Sequence, residues 1–121
     1  MSYDSNNIFA KILRGDIPCK KVYEDNYSLA FHDIQPKAPV HVLVIPKGSY
    51  INYADFAANA PDSEISGFVK AVSKVAEKLG VENEGYRLIV NSGLNGGQEV
   101  SHYHIHILGG RVLGAMVAKA G

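Results

Sequence analysis

Apolar residues recur along this chain with two different periods, and these periods predict its helices and strands. Between Asp62 and Leu79 they stand three, four and seven positions apart, as on one face of an α-helix, and Gly80 follows as a stop. Residues 8–13 carry a shorter helical pattern behind the capping side chains of Ser5-Asn6-Asn7. Residues 40–46 form an unbroken apolar, β-branched run, which predicts a strand.

Shorter β-prone runs cover residues 22–24, 28–33 and 86–91, and a last run lies near the C-terminal end. The glycine-rich residues 92–98 join the last two runs, which favours an antiparallel hairpin. Residues 49–60 are ambiguous and are interpreted as a short helical turn. We therefore predict a single α+β domain over residues 1–121, with a five-stranded antiparallel sheet, one long helix and one short helix.

Composition and charge narrow the class of protein. A chain of 121 residues is long enough for one core, and its 12 basic residues balance its 12 acidic residues. No overall field therefore favours a nucleic-acid or membrane partner, and a phosphate-bearing ligand would be held by local groups. The lone Cys19, the polar N-terminal residues and the lack of a long apolar run lead us to expect a cytoplasmic protein.

Histidine occupies every second position near the C-terminal end, at His102, His104 and His106. Alternate residues of a strand share a face, so we expect the three imidazoles to project together and the intervening residues to lie in the core. Those intervening residues are Tyr103, Ile105 and Ile107. Imidazole titrates near neutral pH, so the pattern favours nucleophilic, acid–base or metal chemistry over a polar face that happens to carry histidine.

Other candidate residues have two interpretations each. The glycines between Asn91 and Gln98 suit either an anion-binding run of backbone amides or a plain turn. Asp33, at a strand end, could accept hydrogen bonds from a ribose diol or cap a turn before Pro36. His41 could be a core histidine or support the others. Apolar residues that line a slot for a planar base, or simply pack the core, are Ile8, Phe9, Ile12 and Phe31.

The run His102-Tyr103-His104-Ile105-His106-Ile107-Leu108 resembles the H-φ-H-φ-H-φ-φ signature of the histidine triad superfamily. Five further segments resemble its nucleotide-binding (Hint) branch in the same order along the chain. They are Ile8–Ile12, Phe31–Pro36, His41–Lys47, Gly96–Val100 and Leu108–Arg111. Together the segments extend over nearly the whole chain, and Glu99 and the tail from Val112 to Gly121 are similar to bacterial members.

This resemblance implies a purine nucleoside phosphoramidate hydrolase that works through a nucleotidyl-histidine intermediate. His104 would attack the α-phosphorus, and His106 would hold phosphate oxygens near the leaving amine. His102 and His41 would support them through hydrogen bonds, and Asp33 would bind the ribose hydroxyls. The implied purine contacts are Ile8, Phe9, Ile12, Phe31, Ile34 and Leu43, the implied phosphate contacts are Asn91, Gly97, Gln98 and Val100, and His32 and Glu99 complete the nucleotide-binding set.

The resemblance also implies a homodimer whose sheet continues from one subunit into the other, with the helix from Asp62 to Leu79 beside the joint. It implies no cofactor and no metal, because each histidine acting on a phosphate needs a free ring nitrogen. Ser101 stands where many relatives carry tyrosine, and Glu99 where the animal branch carries serine. Both flank the implied phosphate site, so they bear on the preference for a leaving group.

Two other functions compete with hydrolysis. One is a nucleotide-binding regulatory or interaction module, in which hydrolysis is incidental and another protein is the target. The other is a metalloprotein that uses the H-x-H-x-H run as ligands, although no second His/Cys cluster supports it. Turnover, and its response to a chelator, would separate the three.

Overall fold

A computed structural model describes residues 2–118 as a five-stranded antiparallel sheet with helices on both faces, which confirms the predicted α+β sheet. The strands are β1 (Lys21–Glu24), β2 (Ser28–His32), β3 (Val40–Pro46), β4 (Arg87–Ile89) and β5 (Ile105–Gly109). The helices are α1 (Ile8–Leu13), α2 (Tyr53–Asn59), α3 (Asp62–Leu79) and the single turn α4 (Gly93–Gly96). The strand order across the sheet is β1-β2-β3-β5-β4.

Local sequence signals account for the ends of the helices. The Asn7 side chain accepts a hydrogen bond from the Ala10 amide and so starts α1. Helix α3 has the predicted bounds, and it ends at Gly80 because the capping residue adopts a left-handed φ of 73°. Among residues 2–118, no helix has both the length and the apolar character needed to cross a bilayer.

The strands divide their side chains between two faces of the sheet. One face, here called the helix face, carries the buried Val42, Val44 and Ile107, which pack with Phe68 and Val75 of α3. The opposite face, here called the histidine face, carries a second cluster in which helix α1 covers part of the sheet. Its buried members are Phe9, Leu29, Phe31, Leu43 and Ile45. The alternation of β3 and β5 therefore separates an apolar core from a surface that α1 leaves partly open.

Three details differ from the sequence prediction. The ambiguous segment 49–60 contains a full short helix, α2, so the fold has more than one short helix. Strands β4 and β5 are antiparallel neighbours, as predicted, but residues 90–104 join them through α4 instead of a short hairpin loop. Strand β5 begins only at Ile105, because the Tyr103 amide donates to the Tyr50 carbonyl (2.8 Å) and not to a neighbouring strand.

Candidate active site

Four of the histidines lie together on the histidine face. His41 is on β3 and His106 is on β5, and their ring centroids are 5.2 Å apart. The ring of His104 lies 5.1 Å from that of His106. His102 is fully buried behind His104. The expected alternation holds, since Tyr103 points into the helix-face core, but only His106 of the three belongs to a regular strand.

The hydrogen bonds of His102 define its tautomer. Its Nε2 lies 2.9 Å from the Pro46 carbonyl oxygen, which can only accept, so Nε2 carries the proton. In a neutral ring Nδ1 is then an acceptor, and the Tyr3 hydroxyl donates to it at 2.6 Å. Both ring nitrogens of this buried histidine are therefore satisfied.

His104 has a defined tautomer for the same reason. Its Nδ1 lies 2.7 Å from the carbonyl oxygen of His102, so Nδ1 carries the proton and donates it. The lone pair is consequently on Nε2. The ring of Phe9 packs edge-on against this imidazole, with centroids 5.0 Å apart, and so restricts its orientation. His104 thus presents a neutral, unprotonated nitrogen whose direction is fixed.

In His41 and His106 the ring proton is on Nε2, whereas in His104 it is on Nδ1. The backbone N–H of Lys37 donates to His41 Nδ1 at 3.0 Å, so the proton of the neutral ring is on Nε2. That Nε2 donates to His106 Nδ1 at 2.9 Å. His106 therefore carries its own proton on Nε2. The site places a nitrogen lone pair on His104 next to a ring that offers an N–H on His106.

Burial keeps these imidazoles neutral. Loss of solvation lowers the pKa of His102 and the pKa of His106 to about 4 each. It also lowers the pKa of His104 and the pKa of His41, although the carboxylate of Asp33 opposes the shift in both. At neutral pH the four rings are uncharged, so the lone pair on His104 is available without removal of a proton.

Asp33 has the contacts of a turn residue and also lies next to the histidine cluster. Its Oδ1 accepts a hydrogen bond from the Gln35 amide at 2.7 Å, as expected of a turn residue. Its Oδ2 lies 3.5 Å from His41 Nε2 at the edge of the histidine cluster. The side chain is 19% exposed, so the residue is partly open to solvent, and a ribose contact stays a prediction.

The residues predicted to surround a purine separate into a buried and an exposed group. Phe9, Phe31 and Leu43 are buried together, with Ile12 and Val100 packed against them. A cavity of about 600 Å³ opens beside Ile12, Cys19 and Leu29 at the end of α1. The exposed group comprises Ile8, which is 42% exposed, and Ile34, which is 89% exposed. The buried group can form the floor of an apolar slot.

His32 does not join the histidine cluster. It pairs with Val42, a helix-face residue, and the alternation of β2 turns its side chain away from Phe31. Its ring is exposed, and its amide donates to the Lys20 carbonyl at 3.0 Å. A nucleotide contact by His32 remains a prediction, and it would involve this outer edge of β2.

Gln98 fixes the loop that precedes the histidines. Its side-chain Nε2 donates to the carbonyls of Ile51 (2.7 Å) and Val100 (2.9 Å). Its Oε1 accepts from the Gly93 amide at 3.0 Å. The side-chain donors are thus engaged within the loop, as is the backbone N–H, which donates to the Gly93 carbonyl at 3.0 Å. The phosphate contact predicted for Gln98 stays a prediction, and it would have to replace one of these hydrogen bonds.

The remaining loop candidates lie around that brace. Gly97 ends α4 with a left-handed φ of 75°, which explains a glycine at this position. Asn91 is half-buried before the turn, and Glu99 is exposed after it. The carboxylate of Glu99 is near enough to oppose the lowering of the pKa of His104 by burial. Their contacts with a phosphate remain predictions.

A metal ion is a weaker match for the same cluster. Single ligand atoms of Asp33, His41 and His106 lie within 4.8 Å of one another. A histidine that binds a metal normally donates its other ring N–H to an acceptor. Here the Lys37 amide already donates to His41 Nδ1. A metal on Nε2 would leave the ring proton on Nδ1, so this N–H would face the Lys37 N–H and neither could accept. This contact favours a hydrogen-bond relay over metal ligation.

Tyr3 and the backbone groups of Lys37 and Pro46 were missed by the sequence analysis. The groups that set the tautomer of His102 are 99 and 56 residues away in the chain. Backbone groups leave no compositional signal. The only available signal was a tyrosine in an otherwise polar N-terminal segment.

Comparisons with known proteins agree with this geometry. A family model described as HIT domain matches residues 14–113. An uncharacterized 13.2 kDa HIT-like protein of Azospirillum brasilense is 54% identical, covering 98% of this chain and 97% of the relative. The purine nucleoside phosphoramidase of Escherichia coli K12 is 44% identical, covering 94% and 95%. The structure of a histidine triad protein from Clostridium difficile superposes with a TM-score of 0.82 at 43% identity, covering 94% and 98%.

This chain therefore belongs to the HIT family of histidine triad proteins. The structural agreement extends over almost its full length, which confirms the HIT-like fold implied by the sequence resemblance. Family membership and the similarity to the Escherichia coli enzyme support a hydrolase that binds nucleotides.

Proposed function

We propose that this protein hydrolyses purine nucleoside phosphoramidates to a nucleoside monophosphate and an amine. The observation that carries the proposal is the opposite polarity of two adjacent rings: His104 has its lone pair on Nε2, and His106 has its proton there. A nucleophile beside a hydrogen-bond donor suits attack on a phosphorus atom that carries anionic oxygens.

The first step forms a bond between His104 Nε2 and the α-phosphorus and breaks the phosphorus–nitrogen bond. The amine departs with one proton taken from a water molecule, and the hydroxide that remains is the nucleophile of the second step. The positive charge left on the imidazole is stabilised because its Nδ1–H donates to the His102 carbonyl. His106 donates Nε2–H to a phosphate oxygen. The hydroxide then attacks the phosphorus of the nucleotidyl-histidine, which breaks the bond to His104 Nε2 and restores the neutral imidazole.

Substrate binding would use the groups around the histidines. The Oδ2 atom of Asp33 would accept from the ribose hydroxyls. The slot floored by Phe9, Phe31 and Leu43 would hold the purine, since such sites combine apolar walls with a few polar groups. The loop that Gln98 braces would supply backbone contacts to the phosphate.

We further propose that the protein is a homodimer whose sheets join at β4. This edge strand is only three residues long. Leu88 within it and the flanking Tyr86 and Val90 stand at alternate positions with exposures of 47%, 38% and 39%, which leaves an apolar row uncovered at this edge of the sheet. Sedimentation at micromolar concentration should give twice the mass of the chain, and a monomer would contradict the dimer.

The function is tested by incubating purified protein with adenosine 5′-phosphoramidate and with a lysyl adenylate adduct, with and without chelator. We expect release of AMP that the chelator does not change, and rapid acid quenching should trap an acid-labile adduct on His104. Tight AMP binding without turnover would favour the regulatory module instead. Activity lost to chelator and restored by zinc would favour the metalloprotein.

A further inference from the structure

Tyr3 lies outside the part of the chain that matches the HIT model, residues 14–113, yet it contacts the histidine cluster. Its hydroxyl oxygen is 2.6 Å from His102 Nδ1, and the two rings meet edge-to-face with centroids 5.6 Å apart. The tyrosine is half-buried, whereas His102 has no exposed surface. The N-terminal segment therefore supplies one of the two hydrogen bonds of a sealed imidazole.

Without the Tyr3 hydroxyl, His102 Nδ1 would be a buried acceptor with no donor. A proton on this nitrogen would only replace an unpaired acceptor by an unpaired donor, so the ring would have to rotate away from the Pro46 carbonyl to find a partner. That rotation would disturb the peptide group of His102. The carbonyl of that group is what holds His104 Nδ1, at 2.7 Å.

Phe9 connects the same groups through packing. Its ring lies edge-on to both His102 and His104, with centroids 6.3 and 5.0 Å away. The N-terminal segment thus contacts His102 through one hydrogen bond, from Tyr3, and through the rings of Tyr3 and Phe9. The polar contact can be removed alone, because phenylalanine retains the ring of Tyr3 and lacks only its hydroxyl.

We propose that Tyr3 is a positioning residue for the reaction: its hydroxyl holds the orientation of His102, whose tautomer the Pro46 carbonyl sets, and, through the His102 carbonyl, the direction of His104 Nε2. This inference rests on the proposed hydrolysis in so far as it concerns turnover. The statement that Tyr3 donates to His102 Nδ1 stands independently of any substrate.

The test compares Tyr3→Phe and Tyr3→Ala with the control Tyr27→Phe. Tyr27 lies on the helix face against Gly67, and among residues 2–118 its hydroxyl forms no hydrogen bond. We expect Tyr3→Phe to lower kcat about tenfold and leave KM within roughly twofold, because misaiming a nucleophile costs rate more than ground-state binding. The control should match the parent in both constants.

A pH profile and NMR separate positioning from simple structural support. Loss of the hydroxyl removes a donor that favours neutral His102, so the acid limb of kcat should move to higher pH in Tyr3→Phe. Imidazole ¹⁵N spectra of the parent should show His102 protonated at Nε2 and accepting at Nδ1. The Nδ1 resonance should shift in Tyr3→Phe and remain unchanged in Tyr27→Phe.

The outcomes that overturn the proposal are distinct from failure of the proposed function. A Tyr3→Phe enzyme with parental kcat and pH profile overturns it, and so does activity lost only in Tyr3→Ala, which would assign Tyr3 a packing role. If the parent cleaves no phosphoramidate, the proposed function fails, and the ¹⁵N spectra alone then test whether Tyr3 positions His102. An unshifted His102 Nδ1 resonance then overturns the positioning role.

Discussion

Strands β3 and β5 supply alternate residues to two faces of one sheet, and the two faces are built in different ways. On the helix face, Val42, Val44 and Ile107 have no exposed surface and lie under the 18-residue helix α3. On the histidine face, the six-residue α1 covers less of the sheet, and His41 and His106 occupy positions that would otherwise be apolar. One face is suited to stability and the other to chemistry, so changes on each should have separable effects.

The largest expected effect is on turnover. His104→Ala should lower kcat by about 10³- to 10⁴-fold while leaving the melting temperature and most AMP affinity intact, because the lost bond forms mainly in the transition state. Single-turnover kinetics on adenosine 5′-phosphoramidate measure this. A variant retaining more than about a tenth of the parental rate would lose only about 1.4 kcal/mol of transition-state stabilisation, which is too little for a nucleophile.

The matching change on the helix face is Phe68→Ala. Phe68 is 1% exposed in the core beneath the sheet, so its removal should lower the free energy of unfolding by about 3–5 kcal/mol. The rate per folded molecule should not change. Urea denaturation provides the measurement, and Val69→Ala provides the control, since Val69 is adjacent on α3 but 63% exposed. Equal destabilisation by the two variants would contradict the core assignment.

A smaller effect is expected at Asp33, and it concerns the affinity for the ligand instead of turnover or stability. Asp33→Ala should weaken AMP binding by about 1.5–3 kcal/mol through loss of a charge-assisted hydrogen bond. Calorimetry with AMP and with 2′,3′-dideoxy-AMP makes the test specific, because the variant should bind the two alike. Unchanged AMP affinity would leave Asp33 as a turn residue only.

A graded effect, small for each ring and each pH unit, is the pH dependence of stability, to which the histidine face contributes. The pKa values of His102 and His106 are about 4 in the folded protein, against about 6.5 in an unfolded chain. The unfolded state therefore binds more protons between these values, and stability is full above pH 6.5 and falls as the pH is lowered. The expected slope is on the order of 1 kcal/mol per pH unit for each ring.

Measuring unfolding between pH 7 and pH 5 separates this effect from acidic groups. Hydrogen bonds from Lys47 and Lys21 lower the pKa of Glu24, so its contribution is lost only at lower pH. A free energy of unfolding that stays constant from pH 7 to pH 5 would mean that folding does not lower the pKa of these imidazoles.

Local patterns predicted the helix face better than the histidine face. The apolar spacing of α3 and the glycine after it depend on neighbouring residues, so both bounds could be predicted. The prediction of a regular strand through His102 and His104 was wrong, because the Tyr103 amide donates to the carbonyl of Tyr50, which is distant in the sequence. The tautomers of the histidines depend on contacts across the sheet, and such contacts leave no periodic trace in the sequence.

The brace formed by Gln98 has a consequence for the kinetics of binding. Its three hydrogen bonds, all to groups of the protein itself, order the loop from Gly93 to Val100. A phosphate that binds there would therefore incur little entropic cost for ordering the backbone. The loop need not behave as a lid, so entry of substrate and release of nucleotide should not be gated by its opening.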